Sequence, residues 1–148
     1  MDSRLLDLIK SPSKLLRAYH RVMKEVSWIR SQESWADSYL NAIDNFFWEA
    51  FRTLMRMKKL PERLADREGE RLYEALRKFI ENVDDNGMPG VVHNLWRWSY
   101  RVYSKDRIYM KYFDLLADFL VNLQNVLSDV YGKRREKELE EIMELIGY

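Results

Sequence analysis

Behind Ser11 and Pro12, apolar side chains return at intervals of one helical turn: Leu15, Leu16, Tyr19, Val22, Met23 and Val26. At about 100° per residue they share one side of a helix. The same period runs nearly to the end of the chain, and no window shows the strict alternation of a half-buried strand. Glycine and proline, which punctuate helices, number only five and three in 148 residues. The chain is long enough for one domain with a real core and short for two, so the pattern predicts a single all-α structure.

The capping chemistry divides the pattern into elements. Ser11 as N-cap and Pro12 at the first helical position open a helix that should run to about Arg30, a length of about 29 Å. The segment "SQES" (31–34) interrupts it. Ser34 is then placed to cap a second helix, with Asp37 near the positive end of its dipole, ending near Lys59 before Pro61. Its apolar side comprises Tyr39, Leu40, Ile43, Phe46, Phe47, Ala50, Phe51 and Leu54. A third helix is expected over 67–83, then a loop at "DDNGMPG" (84–90), where Asp84 and Asp85 serve the turn. A fourth helix over 91–103 directs Trp96, Trp98, Tyr100 and Tyr103 several ways and so reads as enclosed. After "SKDR" (104–107), a fifth and most hydrophobic helix fills 107–131 and is closed by Gly132 at C′. A last helix, 135–146, has Leu139, Ile142, Met143 and Ile146 on one side and acids on the other. Its apolar stripe is too narrow for a central core element, so it either packs on its own domain or bridges subunits. The organisation expected is an N-terminal helical arm over 1–63 and a C-terminal helical bundle over 64–148, one structural unit without a linker.

Several chemistries lack residues. There is no cysteine, which excludes disulfides, thiolate metal sites and a cysteine nucleophile, and which fits a reducing or a hot environment equally. The two histidines, His20 and His93, are isolated, so no metal is expected. Glu74 and Glu81 read as ordinary helix-surface acids, and no glycine-rich phosphate loop, nucleophile elbow or HExxH motif occurs. The expectation is a non-enzyme with no cofactor. "MDSRLLDLIK" has acids where a signal peptide needs cations, and no run approaches 18 apolar residues, so no membrane span is expected.

The positive signal is a row of cations. Lys14, Arg17, Arg21 and Lys24 recur at steps of three and four, with Lys10 four residues upstream, and no acid interrupts the stripe. Solvated helix faces usually intersperse acids for pairing one turn away, so an acid-free row fits contact with phosphates. The second helix repeats the arrangement with Ser38, Asn41, Asn45, Arg52, Arg56 and Lys59 along one face. Charge divides to match: residues 1–63 carry 12 Lys and Arg against 8 Asp and Glu, residues 64–148 carry 13 against 16. The aromatic residues lie mainly opposite the cations, as core residues do, which favours contact with a duplex backbone over base stacking. A chain this short can hardly bury all of them, so the wide apolar sides point to burial against another subunit.

The C-terminal half carries a resemblance. "GMPGVVHNLWRWSYRVYSKDRI", "YFDLLADFLVNLQNVLSDVYG" and "KELEEIMELIG" together resemble the C-terminal bundle of the capsid proteins of filamentous and rod-shaped archaeal viruses, the rudivirus, lipothrixvirus and tristromavirus type, over about 86–147. The shared pattern is a Gly/Pro turn opening an aromatic-basic helix, a hydrophobic helix ending in an aromatic–Gly pair, and a short amphipathic terminal helix. In that family the N-terminal helices of two subunits, often of two related sequences, wrap double-stranded DNA held in A-form. The resemblance implies a virion protein, assembled in the host cytoplasm, whose partners are DNA and a second copy or a paralogous subunit. The long helical arm, poor in Gly, Ser and Thr, is closer to members built on two paralogous subunits. A second resemblance, in "SKLLRAYHRV" (13–22) and "KDRIYMKYFDLLADFL" (105–120), is to small helical subunits of CRISPR effector complexes. A helical protein-interaction protein without nucleic acid is the third reading. Lys10, Lys14, Arg17, Arg21 and Lys24 are the first-choice phosphate contacts, Arg52, Arg56 and Lys59 the second. Arg97 and Arg101 rank lower because their helix reads as enclosed.

Overall fold

The structure, a computed structural model, describes residues 2–102 and 107–147 (for 102 and 107–109, the backbone only). Every regular element among the described residues is helical: α1 Ser3–Leu8, α2 Pro12–Val26, α3 Ile29–Gln32, α4 Ser34–Met57, α5 Glu62–Val83, α6 Met88–Val102, α7 Arg107–Leu127, a π-helical turn Ser128–Gly132, and α8 Lys133–Leu145. The protein is all-α.

One apolar core runs from Leu5 in α1 to Tyr131 in the π turn. Its centre is aromatic. Tyr19 of α2 stacks on Phe47 of α4 with ring centroids 3.9 Å apart, and Phe46 stacks on Phe79 of α5 at 4.6 Å. Phe119 of α7 meets Phe47 edge-on at 5.7 Å, so α2, α4, α5 and α7 converge on α4's apolar side. Full burial of one such side chain stabilises by about 1.5–3 kcal/mol, so these rings fix how the helices sit. Leu5 and Ile9, both fully buried, anchor the N-terminal segment. Arg4 reinforces it from outside by bridging Asp2 and Asp129, each at 2.9 Å.

The first long helix is shorter than its periodicity suggests. α2 ends at Val26, because the Ser27 hydroxyl donates to the Lys24 carbonyl at 2.7 Å and Ser31 does the same to Trp28 at 2.6 Å. Such local hydroxyl bonds compete with the helical ladder. Ser34 does not cap α4. Glu33, extended at φ −133° and ψ 109°, breaks the chain and is the N-cap residue, and Ser34 is already helical. Asp37 lies in α4's first turn and approaches Arg30 at 3.9 Å. Ser11 occupies the N-cap of α2 without a side-chain bond, so Pro12 is the operative start signal.

The third helix begins earlier than expected, directly after Pro61. The loop at 84–90 is shorter than expected, since Met88, Pro89 and Gly90 already belong to α6. Asp84 organises it. Its Oδ1 accepts from the Asn86 backbone N–H at 2.8 Å, and its Oδ2 from Asn94 Nδ2 at 3.2 Å and Tyr39 Oη at 3.5 Å. Burial pushes the Tyr39 hydroxyl above its ordinary pKa, with Asp84 adding to the rise. Gly87, at φ +77°, supplies the left-handed step of the turn. Tyr103 and most of "SKDR" lie outside the described residues.

Gly132 does not end the fifth helix. Its φ is −65°, and the chain passes through the π turn straight into α8. A Cβ at 132 would lie 3.1 Å from Tyr73 Oη, so the glycine permits a close approach of α5 rather than a stop. Gly69 of α5 does the same for Tyr131, whose ring and hydroxyl occupy the space a Cβ would need. Arg134 reaches Asp66 at 2.5 Å and Arg135 pairs with Glu74, which ties the first turn of α8 to α5. Beyond that turn α8 stands away from the core, and none of its residues is buried.

Candidate nucleic-acid interface

α2 presents its cations because Leu15, Ala18, Tyr19, Val22 and Val26 are drawn into the core. The opposite side carries Lys14, Arg17, Arg21 and Lys24, all exposed, with exposed Lys10 in the turn between α1 and α2. Lys14 and Lys24 are ten residues apart, about 15 Å along the axis. Among the described residues none of the five forms an ion pair. Arg21 is steadied sideways, its guanidinium 5.9 Å from the Tyr112 ring centroid on α7. The row is therefore an exposed line of cations carried on a packed helix backbone, with Arg21 alone held by a neighbouring ring.

Its surroundings are less uniform than the sequence of α2 alone suggests. A groove of about 550 Å³ runs between α2 and α7, with Lys14 and Arg17 on one wall and Lys111, Asp114, Leu115 and Asp118 on the other, so the α7 wall carries two acids against one cation. The two aspartates moderate the field of the row's N-terminal half. They are 90 or more residues away in the chain, so nothing in the α2 segment could announce them.

The second group is divided. Arg52 is exposed, and its guanidinium lies 5.9 Å from the Trp48 ring centroid. Trp48 in turn meets His20 of α2 at 6.1 Å, so one indole links Arg52 to the α2 surface. Arg56 is committed elsewhere: it pairs with Glu68 of α5 at 3.1 Å, and Glu68 also holds Arg71 at 3.4 Å. Glu49 is exposed on the same polar side of α4, and it borders the same cleft as Arg52, Arg56 and Glu68. Lys59 is exposed in the turn after α4. The structure thus sets Arg52 against Trp48, which also meets His20 of α2, and gives Arg56 an acidic partner.

Helix α6 departs from the sequence expectation. Trp98, Leu95 and Val91 are buried, but the helix is not enclosed. Trp96 is 36% and Tyr100 52% exposed, their rings stacked 5.6 Å apart, and Arg97 is exposed beside them. Arg101, also exposed, is held by Glu33 at 3.0 Å. The signal was present in the sequence. Positions 93, 96, 97 and 100 share one face at helical spacing, and no acid occurs from Met88 to Val102.

Among the described residues no three His, Cys, Asp or Glu side chains group so as to hold a metal ion. No helix among them is long and apolar enough to cross a membrane. Comparison with protein families, characterised proteins and solved structures finds no match for this chain.

Proposed function

We propose that this chain is a structural capsid subunit that coats double-stranded DNA in a filamentous virion, through sequence-independent phosphate contacts. The observation that carries the reading is the α2 row: four exposed cations on a helix whose other side is locked into the core, with exposed Lys10 in the turn before it, all five unpaired among the described residues. A duplex carries one negative charge per about 1.7 Å of axis, so the 15 Å from Lys14 to Lys24 faces roughly nine charges. A row carried on a packed helix can neutralise several of these, and it reads no bases. The resemblance of the C-terminal half to archaeal filamentous capsid proteins supplies the assembly, with a second copy or a paralogue completing the clasp around DNA held in A-form. The chemistry is electrostatic and positional, with no catalytic step and no cofactor.

The test is affinity for a long random-sequence duplex across a salt series. Five phosphate contacts correspond to a log–log slope of about −4.5. Changing Lys14, Arg17 and Arg21 to Gln should reduce its magnitude by roughly 2.7, with no dependence on base sequence. Absence of duplex binding at low salt, by folded protein with a candidate paralogue present, refutes the reading. A preference for single strands or a guide duplex would favour an effector-complex subunit instead.

A further inference from the structure

Two surfaces of this molecule lack a partner, and they are complementary. On α8, Leu139, Ile142, Met143 and Ile146 form one stripe, and with Leu145 they are between 43% and 86% exposed. Soluble monomers rarely leave so contiguous an apolar surface uncovered. From Glu138 onward the helix carries Glu138, Glu140, Glu141 and Glu144 and no cation, and none of these acids is ion-paired among the described residues. The free part of α8 is therefore apolar and acidic. On α6, the stacked Trp96 and Tyr100 lie beside Arg97 on a helix without a single acid. Arg97 has no ion-pair partner among the described residues, whereas Arg101 is engaged by Glu33. The exposed part of α6 is apolar and basic. Within one molecule both surfaces stay open, so they do not cover each other.

We infer that the free half of α8 in one copy docks on the exposed aromatic-basic face of α6 in a second copy, joining molecules head to tail. Pairing of α8 with α8 is disfavoured by charge. An antiparallel pair centred on Ile142 and Met143 would press the four glutamates of each copy against those of the other. On α6 the same glutamates meet Arg97, and the aliphatic stripe covers the two rings. Aromatic and arginine side chains at the centre of a contact are the residue types that dominate binding energy. Joined head to tail, the contact is heterologous and its repetition produces a ring or an open filament, whereas a reciprocal exchange of α8 between two copies would stop at a dimer. The inference uses neither the α2 cations nor DNA.

The experiment is sedimentation velocity of nucleic-acid-free protein over a concentration series at low salt. One variant, Arg97→Glu/Tyr100→Ser, removes the α6 surface and leaves Trp96 on Phe113. The other, Leu139→Ser/Ile142→Ser, removes the α8 surface. Wild type should grow beyond the dimer as concentration rises. Each variant alone should associate at least about tenfold more weakly, a change of 1.4 kcal/mol or more. An equimolar mixture of the two should form dimers and nothing larger, since only one intact pair of surfaces remains. Circular dichroism checks that each variant keeps the wild-type helix content, with Arg97→Glu alone and Met143→Ser/Ile146→Ser as replacements where it does not. A wild type that stays monomeric or stops at the dimer, a mixture without dimers, or an α6 variant that assembles like wild type overturns the inference. Since no nucleic acid is present, failure here is separate from failure of DNA binding.

Discussion

Replacing Gly69 by Ala should destabilise this protein, against the usual rule for helix interiors. In an exposed helix the change stabilises by about 1 kcal/mol, because glycine loses more backbone freedom on folding. At 69 the new Cβ would meet the hydroxyl oxygen, Cζ and Cε2 of Tyr131. That ring has little room to move. It is 4% exposed, its hydroxyl lies near the Asp66 carboxylate, and the Arg134 guanidinium lies over it at 5.5 Å. Moving it shifts the π turn from which α8 departs. Overpacking of this kind costs about 1–3 kcal/mol. Set against the helix gain, the net loss is up to about 2 kcal/mol, and a loss of about 1 would lower the melting temperature by roughly 2–4 °C. Urea unfolding followed at 222 nm should show a lower midpoint with an unchanged slope. In a Tyr131→Ala background, where the space is empty, Gly69→Ala should instead stabilise. A gain from Gly69→Ala in the wild-type background would refute the reasoning, because it would mean that Tyr131 can yield freely.

Three further outcomes follow from particular contacts. Asp84→Ala removes an acceptor shared by Asn86, Asn94 and Tyr39 and should cost about 1–3 kcal/mol in thermal or urea unfolding, while Asp85→Ala, in the same turn, should change little. Burial and nearby Asp66 push the Tyr131 hydroxyl up to about 12, so the unfolded chain ionises first. The stabilisation from Tyr131 is complete below pH 10 and disappears as pH rises from 10 to 12, a loss of about 2–3 kcal/mol in all; urea midpoints of Tyr131→Phe should fall less steeply over that range. In the DNA assay, Arg17→Gln should reduce the salt slope by about 0.9, whereas Arg56→Gln should change it by less than about half of that, since Glu68 already offsets its charge.

The helices themselves were legible in the chain. The apolar period, Pro12, Pro61 and the loop at Gly87 are local signals, and local chemistry decides whether a segment is helical. The exposure of Lys10, Lys14, Arg17, Arg21 and Lys24 follows from the same period, because burying Leu15, Tyr19 and Val22 turns the other side outward. Some boundaries missed by sequence were also local, but they depended on competing bonds: the hydroxyls of Ser27 and Ser31 shorten α2, and the extended Glu33 displaces Ser34 as cap.

What the tertiary structure alone decided concerns residues distant in sequence. Asp114 and Asp118 come to line the groove beside Lys14 and Arg17, and Glu68 captures Arg56. A charge's partner is set by the packing of whole helices, and no spacing within one helix encodes it. Gly132 followed the same logic. A glycine after a hydrophobic helix reads as a stop, yet here it sits in helical backbone because Tyr73 of α5 needs the room. The face of α6 that stays open was likewise undetermined by its composition. Three aromatic and two arginine side chains describe a helix that could be surrounded or half exposed, and only the positions of α2, α4 and α7 assign Trp98 to the core and Trp96, Arg97 and Tyr100 to the surface.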